Sequence, residues 1–300
     1  MSRLLYIALI VLSLIWGGSF LFIKELLNDF GPWTISFLRS GFGLVTITLI
    51  MLALRQPLQL RKIPWALMAI TALVNTAIPW TLIGFSETRL TSSMASIMNA
   101  TTPLWTIIVG ALFFKAATSR MQWIGMGVAF LGLIILLDIN PHSIVSVDFV
   151  GFIGMLAATL CYGFGSQLSA KLKGVTMYQI TFGTLLTAML GSGTMAFATE
   201  SVDLGRLASP ASIGSAIGLG VFGSGIAYIL FYFMVQKGSP TFASMVTYLV
   251  PGTAIVWGVT LLDEPVHWTL FVGMAFILGG VFVSGRKRAS AIPLRNRSDS

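Results

Sequence analysis

The chain has 300 residues, 56% of them hydrophobic and 9% charged, with a mean hydropathy of +0.89. Soluble domains carry roughly 25% charged residues, so composition excludes that class. One cysteine and two histidines exclude a disulfide framework and argue against a metal centre.

A membrane-spanning helix needs about 20 mostly apolar residues. Ten segments of that kind follow one another: 4–24, 32–54, 64–86, 91–114, 120–137, 149–168, 177–198, 212–235, 241–262 and 268–284. The first follows Arg3 but has no Ala-x-Ala cleavage site, so it is expected as a retained helix and not as a signal peptide. The connections are short; the most polar of the longer ones is Thr199–Pro210. The predicted class is an all-α integral membrane protein of ten transmembrane helices, with the lipid bilayer as its partner.

The net charge of +8 invites a nucleic-acid reading, which the placement of the charges removes. With both termini on one side, fourteen of the eighteen Lys and Arg residues fall on that side. Lys24, Arg89 and Arg206 fall opposite, and Arg39 lies within a span. Nine of the ten acids also fall opposite. The positive-inside rule then makes both termini cytoplasmic in the cell (inner) membrane.

A motif recurs. Ala95-Ser96, six residues and Pro103 return as Ala243-Ser244, six residues and Pro251, 148 residues later. At the same offset Trp80 falls on Tyr228, Phe85 on Phe233, Gly125-Met126 on Gly273-Met274, and Gly132 on Gly280. The chain therefore reads as two copies of one unit: residues 1–137, a linker at 138–148, residues 149–284, and a basic tail at 285–300. Five helices per copy is an odd number, so the second copy enters the membrane from the other side and the repeats are inverted. Such pairs hold substrate near the midplane around a central cavity, and exchange of roles between the copies supplies alternating access.

Several residues are singled out by depth and pairing. Pro103 and Pro251 each remove a backbone donor and are expected to kink their helices, as hinges or as static bends. Asn99 and Thr247 sit four residues before each proline, with Thr101 and Thr102 beside Asn99; at bilayer depth they either pack between helices or face a polar cavity. Trp16, Trp80, Phe85, Trp105, Tyr228, Tyr232 and Tyr248 form an aromatic set that suits a cargo with an apolar part. Trp65, Trp123 and Trp268 lie near helix ends and are expected in the interfacial belts. Glycines at 125, 127, 132, 273, 279 and 280 and the Gly214-x-x-x-Gly218 pair are expected to allow close helix contact. Arg39 lies seven residues into its span, about 10 Å deep, and must be paired or hydrated. It reads as a structural charge paired with Glu25, Glu87 or helix-end carbonyls, or else as the counter-charge of a substrate carboxylate. Lys24 is read as a structural charge that snorkels.

The pattern resembles the drug/metabolite transporter superfamily in its ten-helix EamA-type branch. The resemblance is carried by Trp16-Gly17-Gly18-Ser19-Phe20 with Lys24, by Arg39, by the two Ala-Ser…Pro helices, by Leu262-Asp263-Glu264-Pro265, and by the Gly-rich stretch Gly273–Gly280. It implies a basket of ten helices whose cavity is lined by helices 1, 3, 4, 6, 8 and 9, and secondary transport of small metabolites. Ser19 and Phe20 join the cavity candidates on that basis, while a basic residue at Arg39 belongs outside the main cavity helices. Gln167, Ser166 and Tyr162 join them as the repeat counterparts of the Trp16–Phe20 region, in a register slipped to about 146. One departure stands out: the acidic corner Asp263-Glu264 is matched by Lys115-Ala116, so a symmetric role for it is in doubt.

No carboxylate sits in the middle of a span, which leans toward uncoupled, gradient-driven passage. No phosphate-cradling Gly-Lys-Ser/Thr loop appears, and no catalytic set, metal site or cofactor is expected. The expected function is export of small organic metabolites, amino acids or related amphipathic compounds first. Drug efflux is the alternative, a passive channel a more distant one.

Overall fold

The computed structural model describes residues 3–115, 118–136, 148–169, 171–172, 174–237 and 246–285, and the regular structure among them is all helical. Ten rods follow in order: α1 (Arg3–Leu26), α2 (Pro32–Ala53), α3 (Trp65–Glu87), α4 (Ser92–Phe114) and α5 (Arg120–Leu136). After them come α6 (Phe149–Ser169), α7 (Met177–Thr199), α8 (residues 210–237), α9 (Val246–Leu262) and α10 (Trp268–Gly285). Seven of them, α1–α4 and α6–α8, are long and apolar enough to cross a membrane; α5, α9 and α10 are apolar but shorter. Most of the seam 138–148, the tail beyond Gly285, Ala116 and the Ala243-Ser244 half of the second motif lie outside the described residues.

Local chemistry sets the starts. Pro32 and Pro210 occupy first-turn positions, where a missing N–H costs nothing. Thr91 caps α4 by accepting from the Met94 N–H, and Thr176 forms a capping box with Gln179 at the head of α7. The outward faces are apolar: Ile7, Leu49, Leu52, Leu190 and Phe197 are exposed, whereas Ser13, Ser36, Ser40 and Ser192 are buried. Trp65, Trp123 and Trp268 near helix ends are exposed as well.

The packing has a regularity. α1 packs on α9 and α8, and α6 packs on α4 and α3; α2 packs on α8, and α7 on α3. Shifting each helix number by five turns one member of each pair of contacts into the other. The contacts α2–α7 and α5–α10 map onto themselves. In α5–α10 the backbones touch at glycines: Gly125 lies against Gly280, and a Cβ at Gly132 would stand 2.7 Å from the Gly273 carbonyl. Those pairings run antiparallel. Gly127, Gly279 and Gly214 face open space instead, so the close-contact expectation fails for these three.

Two rods are widened. α3 passes through a π segment at Leu73–Ala77, and α8 through one at Gly218–Ile226. The first, moved by 148 residues, falls inside the second. α4 breaks at Ala100–Thr101, just before Pro103, while α9 continues through Pro251. At the matched positions Lys115 and Asp263 both adopt left-handed backbone, φ 53° and 49°, as they end α4 and α9. The turn geometry is thus shared although the side chains are not.

Candidate functional site

The two widened segments frame the most unusual group in the protein. The π segment of α8 is glycine-rich, and its small residues let α1 and α2 approach its backbone. Gly220 lies beneath Phe42 and Gly225 beneath Thr46, which brings α2 close enough for the Arg39 Nε to donate to the Ser224 Oγ at 3.0 Å. On the α1 side the Trp16 indole N–H donates to the Gly223 carbonyl at 3.3 Å, and its ring lies 5.8 Å from that of Phe231. A π turn frees backbone carbonyls from their usual partners, and such turns gather at functional sites.

Arg39 is 8% exposed. The centre of its guanidinium lies over Trp80, 3.8 Å from the ring centroid, and Tyr162 of α6, Tyr228 of α8 and, more weakly, Glu87 of α3 stand within electrostatic reach. The expected pairing with Glu25 or Glu87 is not formed: among the described residues no carboxylate lies within ion-pairing distance of Arg39. A buried cation without an anion is costly. Here the π face of Trp80 and the Ser224 hydroxyl serve the guanidinium directly. A guanidinium carries five N–H donors, and Ser224 takes one. The arrangement can receive a planar, two-oxygen anion and stack an apolar group beside it. A small crevice opens next to Tyr228, lined by Ile47, Met177, Tyr178, Thr181 and Ile229.

The other candidates disperse. Ser19 is buried, donates to the Ile15 carbonyl and packs on Gly223; Phe20 is buried in the main apolar cluster. Gln167 donates to the Thr106 carbonyl at 3.2 Å, tying α6 to α4. Thr102 donates to the Asn99 carbonyl, while the Asn99 side-chain oxygen is buried without a hydrogen bond. The side chains of Tyr232, Thr247 and Tyr248 lie outside the described residues. Lys24 does not snorkel outward: its ammonium caps the end of α3 on the carbonyls of Glu87 and Leu90, at 2.5 and 3.0 Å.

Two polar residues, Ser224 and Glu200, escaped sequence reasoning, and Glu264 was noted only as part of the acidic corner. Ser224 matches Thr76 at the 148-residue offset, so a hydroxyl recurring inside apolar runs was the available signal. Glu200, at the end of α7, accepts from the N–H groups of Trp33 and Thr34 at 2.8 Å each and from the Thr34 hydroxyl at 2.7 Å, capping α2. Glu264 caps α4 in the same way. No local pattern announces a cap supplied from a distant helix.

The comparisons agree with this architecture. The EamA-like transporter family profile matches residues 3–138 and again residues 149–286. An uncharacterized transporter of Archaeoglobus fulgidus is 24% identical over 94% of this chain and 99% of its own length. The uncharacterized inner membrane transporter YedA of Escherichia coli is 24% identical, over 92% of this chain and 89% of its own. A probable terminal-alkyne amino-acid exporter of Streptantibioticus cattleyicolor is also 24% identical, over 96% and 97% of the two chains. A crystal structure superposes with a TM-score of 0.67 at 16% identity, over 95% of this chain and 98% of the other, a likeness of fold alone. Apolar helices long enough to cross a bilayer, two consecutive matches that take in nearly the whole chain, and relatives that are transporters lead to one conclusion: this multi-pass membrane protein belongs to the EamA-like transporter family.

Proposed function

We propose that the protein is an alternating-access carrier that exports small organic acids with an apolar portion, amino acids first, and that Arg39 holds their carboxylate. The observation that carries the reading is the buried Arg39 over Trp80 with no carboxylate within ion-pairing distance among the described residues. A carboxylate cargo supplies the missing anion, and Trp80, Tyr162 and Tyr228 offer apolar surface next to it. The amino-acid exporter among the relatives supports the cargo class. A fixed cation at the site disfavours the cationic drugs of the alternative.

The working architecture is two inverted five-helix units, 1–137 and 149–284, joined by 138–148 with a basic tail from 285, and both termini in the cytoplasm. Contacts that interchange when helix numbers shift by five support the pseudo-two-fold relation, and the excess of Lys and Arg on the terminus side supports the orientation. In this reading the cargo rests between the halves near the π segments, and Trp16, Ser19, Asn99 and Thr102 line or shape its path together with the break in α4 before Pro103 and with Pro251 inside α9.

Counterflow in liposomes loaded with a pool of labelled amino acids tests this. Wild type is expected to exchange label, Arg39→Gln to lose at least tenfold in rate, and Trp80→Ala to weaken exchange of apolar amino acids most. Equal rates in wild type and Arg39→Gln would sink the assignment.

A further inference from the structure

Glu87 ends α3 and is fully buried, and Glu264 in the α9–α10 corner lies within electrostatic reach of it. The two carboxyl groups meet at Ser92, the first residue of α4. The Ser92 N–H donates to Glu264 Oε1 at 2.5 Å, while the Ser93 N–H and hydroxyl donate to Oε2 at 3.0 and 2.6 Å. Three donors at a helix N-terminus suit an anion, so Glu264 is satisfied as a carboxylate.

Glu87 is served differently. Its Oε2 lies 3.1 Å from the Ser92 Oγ, and its Oε1 is buried without a hydrogen bond. The same Ser92 Oγ lies 3.3 Å from the Phe20 carbonyl. A serine hydroxyl has one hydrogen, and here two acceptors face it. Both contacts become hydrogen bonds when Glu87 brings a proton of its own. The acid then donates from Oε2 to the Ser92 Oγ, and Ser92 donates to the Phe20 carbonyl.

The charges that face Glu87 do not replace that proton. Lys24, from α1, is engaged on the Glu87 and Leu90 carbonyls, and Arg39, from α2, is held by Trp80 and Ser224. Glu264, from the corner, is itself an anion, and α6 presents Gly151 and Gly154 to this end of α3. A second anion here, fully buried with one oxygen lacking a hydrogen bond, would be heavily penalised.

We propose that Glu87 is a proton-binding site of the carrier, neutral while α4 is seated on Glu264 and ionised when this end of the helices opens to water. One proton is then taken up at Glu87 on each closure and released to water on each opening. Closure of this face becomes sensitive to the pH on its own side. Because the proton is bound and released at the same face none is carried across, which is compatible with the uncoupled passage expected from the absence of mid-span acids. The site lies apart from the Arg39–Trp80 contact, though within electrostatic reach of Arg39, and is independent of which cargo the carrier moves.

Infrared spectroscopy of the purified protein in lipid at neutral pH reads the C=O stretch of protonated carboxyl groups without any cargo. Wild type is expected to show such a band, Glu87→Gln to lose it, and Arg39→Gln to keep it. Ser92→Ala keeps the acid but removes its partner, so the band should persist and move to higher frequency. A wild-type spectrum without the band, or a band unchanged in Glu87→Gln, overturns the proposal. Should Glu87→Gln fail to fold, a band unmoved in Ser92→Ala overturns it equally. Loss of counterflow in Arg39→Gln is read separately and bears only on the cargo.

Discussion

The Thr102 hydroxyl donates at 2.8 Å to the carbonyl of Asn99, the acceptor that a backbone N–H at position 103 would serve if that residue were not proline. The kink in α4 is thus repaired by the residue next to its cause. Thr102→Val is expected to lose about 1–3 kcal/mol, the cost of a buried acceptor left unserved. In a Pro103→Ala background, where the N–H returns, the same change should cost less. Unfolding midpoints of the two single variants and the double variant in detergent measure the coupling; strict additivity would mean that Thr102 does not serve that carbonyl.

The α5–α10 contact leaves no room for side chains at its centre. Gly280→Ala would place a methyl against the Gly125 carbonyl and within 2.6 Å of the Ala129 nitrogen, and should destabilise by about 1–3 kcal/mol. Gly127→Ala and Gly279→Ala, with nothing within 4 Å, should leave the melting temperature unchanged. A comparison of thermal melts of the three variants separates glycines that pack from those that do not.

Glu200 replaces the cap that α2 cannot supply, because Gly31 precedes it with no side chain. Glu200→Gln keeps the shape and loses the charge at a helix N-terminus, an expected cost of about 1–2 kcal/mol. Gly31→Ala would push directly on the same carboxylate. Both should accelerate amide exchange at Trp33 and Thr34; unchanged exchange in both would count against the cap.

Asp148 heads α6 outside the membrane-spanning residues. The Gly151 N–H, at 2.8 Å, holds its carboxyl below the usual value, with Arg89 at 3.0 Å adding to the effect. A carboxyl lowered by folding contributes stability above its unfolded pKa of about 3.9 and loses it as pH falls through the folded value. Acidification below roughly pH 4 should therefore destabilise wild type more steeply than Asp148→Asn. Melts across that range test it, and parallel curves would show no contribution.

Much of the helical plan was readable from hydropathy. The segments 32–54, 91–114 and 120–137 lie within a residue or so of α2, α4 and α5, because each is mostly apolar and ends at charge or turn residues. The π segments were not readable: no charge or proline inside Leu73–Ala77 or Gly218–Ile226 marks them off from an ordinary helix, and the helices packed on them, α6, α1 and α2 among them, are distant in the chain. The site was half readable. Arg39, Trp80 and Tyr228 stood out through depth and repeat register, but their convergence depends on contacts far apart in the chain. Glu87 sits at a helix end, where sequence alone cannot tell a solvated acid from a fully buried one.

The π segments also imply that aim here depends on counting. Each widened turn absorbs an extra residue, and a residue more or less turns everything beyond it by about 100° around the helix axis. Trp80 and Tyr228 lie just beyond the two segments and face Arg39 on that account. Chain length within each segment therefore constrains this pair more tightly than residue identity does. Apolar exchanges at Leu73 or Val74 can leave the aim untouched, whereas a single deletion there would swing Trp80 off the guanidinium with every side chain still present.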